Sequence, residues 1–270
     1  MIFADLDLSR CLERAEAQAG KEFAEARARL YPESGSASIE HAGAIAIFDG
    51  TDSPVTQTFC LGLFEDLTPE ALDTIERFFF DRGAAAIHEV SPFSGTAAAD
   101  LLCARGYRPI ELSSVMYQPI TAPDKKIPPF ITVRVATPND EDLWADLSAG
   151  GWASDYPEME EMIRSFGRLG FARANTINFL AEIDGVAGAT GSLCLYENVA
   201  LFGGASTIPE HRRHGLQSAL LATRMSYASE RGYKLAMMVT ATGSQSQRNA
   251  ERAGFKIAYT RTKWQLTKPA

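Results

Sequence analysis

One order of elements occurs twice in this chain. Arg82-Gly83, an apolar strand-like run, a helical segment and Ala104-Arg105-Gly106-Tyr107 are mirrored by Arg231-Gly232, an apolar run, a helical segment and Arg252-Ala253-Gly254-Phe255. The two glycine-to-glycine spacings, Gly83 to Gly106 and Gly232 to Gly254, differ by one residue. Glycine after a basic residue is a common helix ending, so the matching order between the pairs carries the argument for duplication. Repetition restricts the chain to two halves of one pattern, and 270 residues suffice for two domains of ordinary size.

The boundary between the halves falls in TAPDKKIPPF (121–130), with three prolines and two adjacent lysines. Proline removes backbone donors and restricts its predecessor, so this stretch reads as an extended linker. The expected division is a domain at 1–122, a linker at 123–130 and a domain at 131–270.

In the first half, Leu8, Leu12, Ala15, Ala19, Phe23, Ala26 and Leu30 recur at helical steps before Pro32. Strands are expected at 42–50 and 55–64 around a DGTDSP turn. A helix follows from Thr68-Pro69-Glu70 to Asp81-Arg82-Gly83. The second half opens with a strand at 131–137, a helix capped by Asn139 and running through Trp152, and a helix at 158–169. Strands at 178–185, 186–197 and 199–208 turn at Asp184-Gly185 and Glu197-Asn198. A helix at 216–231, a strand at 234–241, a helix at 244–253 and a strand within 255–267 complete it. The order β-α-α-β-β-β-α-β-α-β mixes hairpins with a crossover, which makes an α/β (α+β) fold with a mixed central sheet flanked by helices.

Composition narrows the function. Hydrophobic residues at 46% and charged residues at 22% suit a folded core. A net charge of −8 disfavours nucleic acid and anionic membrane as partners. No window approaches 18 apolar residues, and the early acids of MIFADLDLSR do not form a secretory signal. The four cysteines lack CxxC spacing and the four histidines form no HExxH cluster, so buried reduced thiols, no metal site and a cytoplasmic setting are expected.

The chemistry concentrates in STIPEHRRHGLQSALLATRMSYA (206–228). A strand ends, Pro209 stops it, a basic turn follows and a helix begins at once. Helix starts present N–H groups without intrahelical partners at the positive dipole end, a geometry that binds phosphate. Gly215 clears the close approach, and Arg212, Arg213 and His214 add charge. The alternative is a solvated basic turn before an ordinary surface helix.

This segment resembles the coenzyme A signature of the GNAT N-acetyltransferase superfamily, R/Q-x-x-G-x-G/A. Arg212 opens it, Gly215 is its first glycine, and Gln217 stands where the second Gly/Ala is expected. The resemblance covers about 131–267 and implies a tandem GNAT-like fold binding acetyl-CoA. Arg212, Arg213, His214, Gly215, Leu216, Gln217 and Ser218 would hold the pyrophosphate, and the backbone of Ala205 and Thr207 the pantetheine and thioester. Gly203-Gly204 marks either the bend of that strand or a tight core contact. Ser246 and Asn249 would form a second cofactor segment, or simply the wet side of a short helix.

Where the family often has a tyrosine acid, this chain has Ala250. Tyr259 is the nearest substitute, or equally a packed strand tyrosine. The strand 199–208 contains no glutamate, leaving Glu182 and Glu197 as candidate bases. The implied activity is an acetyl-CoA-dependent N-acetyltransferase acting on a small-molecule or peptide amine; the alternative is a non-catalytic acyl-CoA-binding sensor. In the first half the corresponding loop reads FEDLTPEALD, with acids where the basic loop should be. That half is therefore either a degenerate copy without the cofactor loop or an unrelated α+β domain.

Overall fold

The computed structural model describes residues 2–121, 127–154 and 157–267. The chain runs α1 (Leu6–Leu30), β1 (Ala37–His41), β2 (Ala44–Phe48), β3 (Gln57–Phe59), α2 (Pro69–Phe80), β4 (Ala86–Val90), α3 (Gly95–Ala104) and β5 (Arg108–Pro119). It continues with β6 (Ile131–Val135), α4 (Glu141–Ala153), α5 (Glu160–Phe171), β7 (Thr176–Ile183), β8 (Val186–Tyr196) and β9 (Val199–Thr207). Last come α6 (Leu216–Glu230), β10 (Leu235–Ala241), α7 (Gln245–Arg252) and β11 (Lys256–Leu266). No helix among the described residues is long and apolar enough to cross a membrane.

Residues up to Tyr117 and from Val239 onward form one compact unit, and Gln118–Met238 form a second. This division differs from the one read at 123–130, half of which (123–126) lies outside the described residues. The physical reason is β11. Within the first unit the strands lie in the order β1-β2-β3-β4-β11-β5. β11 is antiparallel to β4 from Thr262 opposite Val90 to Leu266 opposite Ala86, and antiparallel to β5 along its other edge. The end of the chain thus completes the sheet that the beginning starts.

In the first unit, Asp5 caps α1 by accepting from Leu8 N–H, and Leu8, Leu12, Ala15, Ala19, Phe23 and Ala26 form its buried stripe. Each large apolar side chain so buried contributes about 1.5–3 kcal/mol. α2 begins at Thr68, whose side chain accepts from Ala71 N–H, and buries Leu72, Ile75 and Phe79 with Ala86 and Leu102.

Three local expectations give way. β1 is a strand the sequence pattern hides, because Ala37 and Ser38 are small and weakly strand-forming; Ala42-Gly43, expected in the strand, is a left-handed hairpin turn with φ of 47° and 71°. The expected strand at 55–64 shrinks to Gln57–Phe59, since Cys60 (φ 65°) and Gly62 (φ 71°) leave the extended region. Asn139 is not the cap of α4. Thr137 and Asp140 form a capping box around a 3-10 turn, with Thr137 N–H donating to Asp140 Oδ2 at 2.7 Å.

In the second unit the order is β10-β9-β8-β7-β6, with β10 parallel to β9 and the rest antiparallel. Asp184-Gly185 makes the expected β7–β8 turn, with φ of 48° and 81°. Trp144, Leu147 and Leu180 are buried together, and Trp144 Nε1 donates to Phe179 C=O at 3.0 Å. α4 and α5 pack closely at Gly167, where a Cβ would come within 2.8 Å of Ala145 Cα.

Candidate functional site

β9 and β10 pair only from Val199 opposite Leu235 to Leu201 opposite Met237. Past that point β9 keeps a ladder with β8 alone, and the ladder is interrupted. Thr190 faces Ser206 while Ser192 faces Gly203, so Gly204 and Ala205 together oppose Gly191. Gly204 has φ +59°, and a Cβ on it would approach Ser192 Oγ to 2.7 Å and Trp144 to 3.2 Å. This is a glycine bulge, in the place where Gly203-Gly204 left a bend or a core contact open. Gly204 and Ala205 are exposed although Phe202 and Ser206 of the same strand are buried.

Ile208 N–H bonds Gly188 C=O on β8 at 3.1 Å. Successive residues of an antiparallel strand alternate in direction, so Thr207 and Ala205 turn their backbone groups to the edge away from β8. Just beyond, Gly151 of α4 abuts Ser206 and Thr207 so tightly that a side chain there would overlap Ser206 Oγ. Ser206 Oγ donates to Ser148 C=O at 2.9 Å.

The loop from β9 to α6 folds back on this edge. Arg212 Nε donates to Thr207 C=O (3.1 Å), and Nη2 donates to Gly151 C=O (2.7 Å) and Ser154 Oγ (2.6 Å). A cation at the C-terminal carbonyls of α4 is well placed against that helix dipole. The Arg212 guanidinium therefore serves the architecture of the loop, while Arg213 and His214 are exposed. Arg213 (φ 65°) and Gly215 (φ 92°) both enter the left-handed region, so conformation rather than crowding favours glycine at 215, where a Cβ would meet only Ile131 at 3.7 Å.

Gly215 is the N-cap of α6 and supplies no side-chain acceptor. Among the described residues, the N–H groups of Leu216, Gln217 and Ser218 have no protein acceptor. These are the donors an anion would satisfy. Gln217 does not cover them. Its Nε2 donates to Ser206 C=O (2.7 Å) and Thr207 Oγ1 (2.8 Å), so the side chain lies along β9.

The structure thus brings Ala205, Thr207 and Arg212–Ser218 together in the second unit. Ser246, Asn249 and Tyr259 belong to the first. Ser246 and Asn249 are exposed on α7, where Asn249 Oδ1 accepts from Gln245 and Arg252. Tyr259 is buried in β11; its hydroxyl donates to Glu13 Oε1 at 2.9 Å and its ring meets Phe93 edge-on. Glu13 is fully buried with Arg261, beside Glu16 and Glu89, and burial pushes its carboxyl up to about 7 against the pull of Arg261. Of the candidate bases, Glu182 is paired with Arg134 at 2.8 Å. Glu197 lies seven residues before the bulge, roughly 23 Å along the strand.

The first unit shows what the other copy of the loop becomes. β3 and β4 are also parallel and meet only at Thr58 and His88. The helix that follows, α2, starts with Pro69, which has no N–H, and Thr68 caps Ala71. Glu65 and Asp66 are exposed just before it. This helix start keeps at most the Glu70 N–H without an acceptor among the described residues, against three at α6, and it has acids where α6 has Arg213. Arg224, which sequence reasoning passed over as one polar residue of a helix, is buried behind the β9 bulge.

No family model matches the sequence, and no curated protein matches it. Among solved structures, the chain is similar to a GCN5-related N-acetyltransferase from Kribbella flavida, at 19% identity and a TM-score of 0.63, over 91% of this chain and 95% of that one. It is similar to a GCN5-related N-acetyltransferase from Sphaerobacter thermophilus at 17% identity and a TM-score of 0.55, over 87% and 77% of the two chains. A tandem GNAT protein from the clavulanic acid biosynthesis pathway aligns at 16% identity and a TM-score of 0.56, over 83% of this chain and 74% of its own. With the splayed strands, the bulge and the open helix start, these likenesses give the chain the tandem GCN5-related N-acetyltransferase (GNAT) fold.

Proposed function

We propose that the protein is an acetyl-CoA-dependent N-acyltransferase whose acceptor is an amine, with the cofactor site in the second unit. One observation carries the reading: the unsatisfied N–H groups at the start of α6 and the exposed Ala205 backbone flank the same unpaired edge of β9. The residues fit the group. Leu216, Gln217 and Ser218 offer backbone donors to a pyrophosphate, and the exposed Arg213 adds positive charge beside them, with the His214 ring exposed next to it. Acetyl-CoA, when bound, supplies an acyl group already activated as a thioester. Ala205 N–H, held at the bulge, is aimed where negative charge would develop on an acyl oxygen. An amine is mostly protonated at neutral pH, with a pKa near about 10.4 for a lysine-type group. It must therefore lose a proton before attack. β9 itself contains no carboxylate to take that proton.

A second reading, a non-catalytic acyl-CoA-binding sensor, is favoured by Ala250 in place of a tyrosine and by the burial of Tyr259 against Glu13. Calorimetric titration with coenzyme A, combined with thiol release from acetyl-CoA across a panel of amines, separates the two. The transferase reading expects binding and release. Binding with no release on any amine supports the sensor, and absence of binding removes both.

A further inference from the structure

Arg224 sits in the middle of α6 with 3% of its surface exposed. Among the described residues no carboxylate neutralises it. Its Nη1 donates to Ser192 C=O at 2.9 Å and to Gly203 C=O at 3.1 Å, its Nε donates to Leu220 C=O at 3.3 Å, and the guanidinium lies over the Phe202 ring. Burial lowers its pKa to about 10, which still leaves it charged at neutral pH. A buried cation bonded only to carbonyls is a poor stabilising device, and an apolar side chain on this face of α6 would be cheaper in desolvation.

Its position explains why it is there. Ser192 and Gly203 face each other across β8 and β9, and their carbonyls converge on one nitrogen at the point where the ladder breaks. The bulge residues Gly204 and Ala205 follow at once. Gly191, opposite the bulge, has no side chain, and a Cβ there would lie 2.9 Å from the Arg224 Cζ. The same segment meets Trp144 and Ser192 through Gly204. The guanidinium replaces ladder hydrogen bonds that the bulge removes, and so fixes where the next residue points.

We infer that Arg224 is a positioning residue: it clamps the β9 bulge through the Ser192 and Gly203 carbonyls and thereby aims the Ala205 N–H at the acyl oxygen. The inference deepens the transferase reading and rests on it for its kinetic consequence. Its structural consequence stands alone, because those amides of 202–207 that bond β8 exchange slowly in a clamped strand whether or not the protein transfers an acyl group.

The test uses the full chain with Arg224→Met, Arg224→Lys and, as an approach from the opposite side, Gly191→Ala. Hydrogen exchange of segment 202–207 is read alongside kcat and KM for acetyl-CoA. In Arg224→Met, exchange in that segment rises at least tenfold or so, and kcat falls roughly 10- to 100-fold while KM moves less than about threefold. Arg224→Lys, whose ammonium still reaches a carbonyl, recovers part of both. Gly191→Ala displaces the guanidinium and reproduces the Met variant in milder form. Unchanged exchange in a folded Met variant overturns the inference, as does equal loss in the Lys and Met variants. If Arg224→Met does not fold, the Lys and Gly191→Ala variants decide by the same two readouts. If the wild type releases no thiol, the transferase reading fails while the exchange result still upholds or overturns the clamp.

Discussion

The buried carboxyl of Glu13 makes stability a measurable function of pH. Its surroundings are Glu16 on α1, Glu89 on β4, Tyr259 and Arg261 on β11, and Cys60 after β3. Burial dominates and raises its pKa from 4.5 to about 7. An acid whose folded pKa is raised contributes stability that is fully present below the unfolded value and lost as pH climbs through the folded one. The span of 2.5 pH units corresponds to about 3 kcal/mol, lost between pH 4.5 and 7. His88 works in the opposite sense. Burial lowers its pKa from 6.5 to about 3, so its contribution is present above pH 6.5 and lost as the pH falls below it. Between pH 4.5 and 6.5 the two slopes cancel, and a flat wild-type profile would be uninformative. The measurement is therefore a difference. Urea unfolding of wild type and Glu13→Gln, followed by tryptophan fluorescence from pH 4.5 to 7.5, should shift in favour of the variant by about 3 kcal/mol with rising pH. A difference constant to within about 0.5 kcal/mol would refute the reasoning.

Two further substitutions probe the helix start. Gly215→Glu adds a side chain at φ 92° and places an anion beside the unsatisfied N–H groups, so coenzyme A binding should vanish in calorimetry from a protein that keeps its circular dichroism. Retained affinity would remove this loop as the phosphate site, and Gly215→Ala controls for the backbone strain. Gln217→Ala loses the bonds to Ser206 and Thr207 and should lower stability by about 1–2 kcal/mol. Because that side chain lies along β9, coenzyme A affinity should change less than about threefold; a larger loss would mean the amide itself meets the ligand.

Much of the second unit was legible because its signals are local. Asp184-Gly185 forces a tight turn, Pro209 ends a strand, Gly215 opens a helix, and each acts within a few residues. The bulge was half legible: Gly203-Gly204 announced a bend, but the residue it opposes, Gly191, is fixed only by register. Arg224 shows the limit more sharply. On its helix it looks like any polar residue, and only the fold brings Ser192, Gly203 and Gly191 around it. Tyr259 carried two readings from the start, and its partner Glu13 lies 246 residues away. The position of β11 was invisible for the same reason, since strand periodicity sets which face is buried and leaves the neighbour unspecified.

That position bears on the order in which the molecule can be built. A nascent chain that has emerged as far as β5 carries Glu13, Glu16 and Glu89 without Arg261 and Lys263, the cations that lie against them. The edges of β4 and β5 that β11 will join are still bare, and exposed edges invite wrong partners. Of the two units, the one whose synthesis begins earlier is therefore completed later, and the chain must carry it unfinished until β11 has been made.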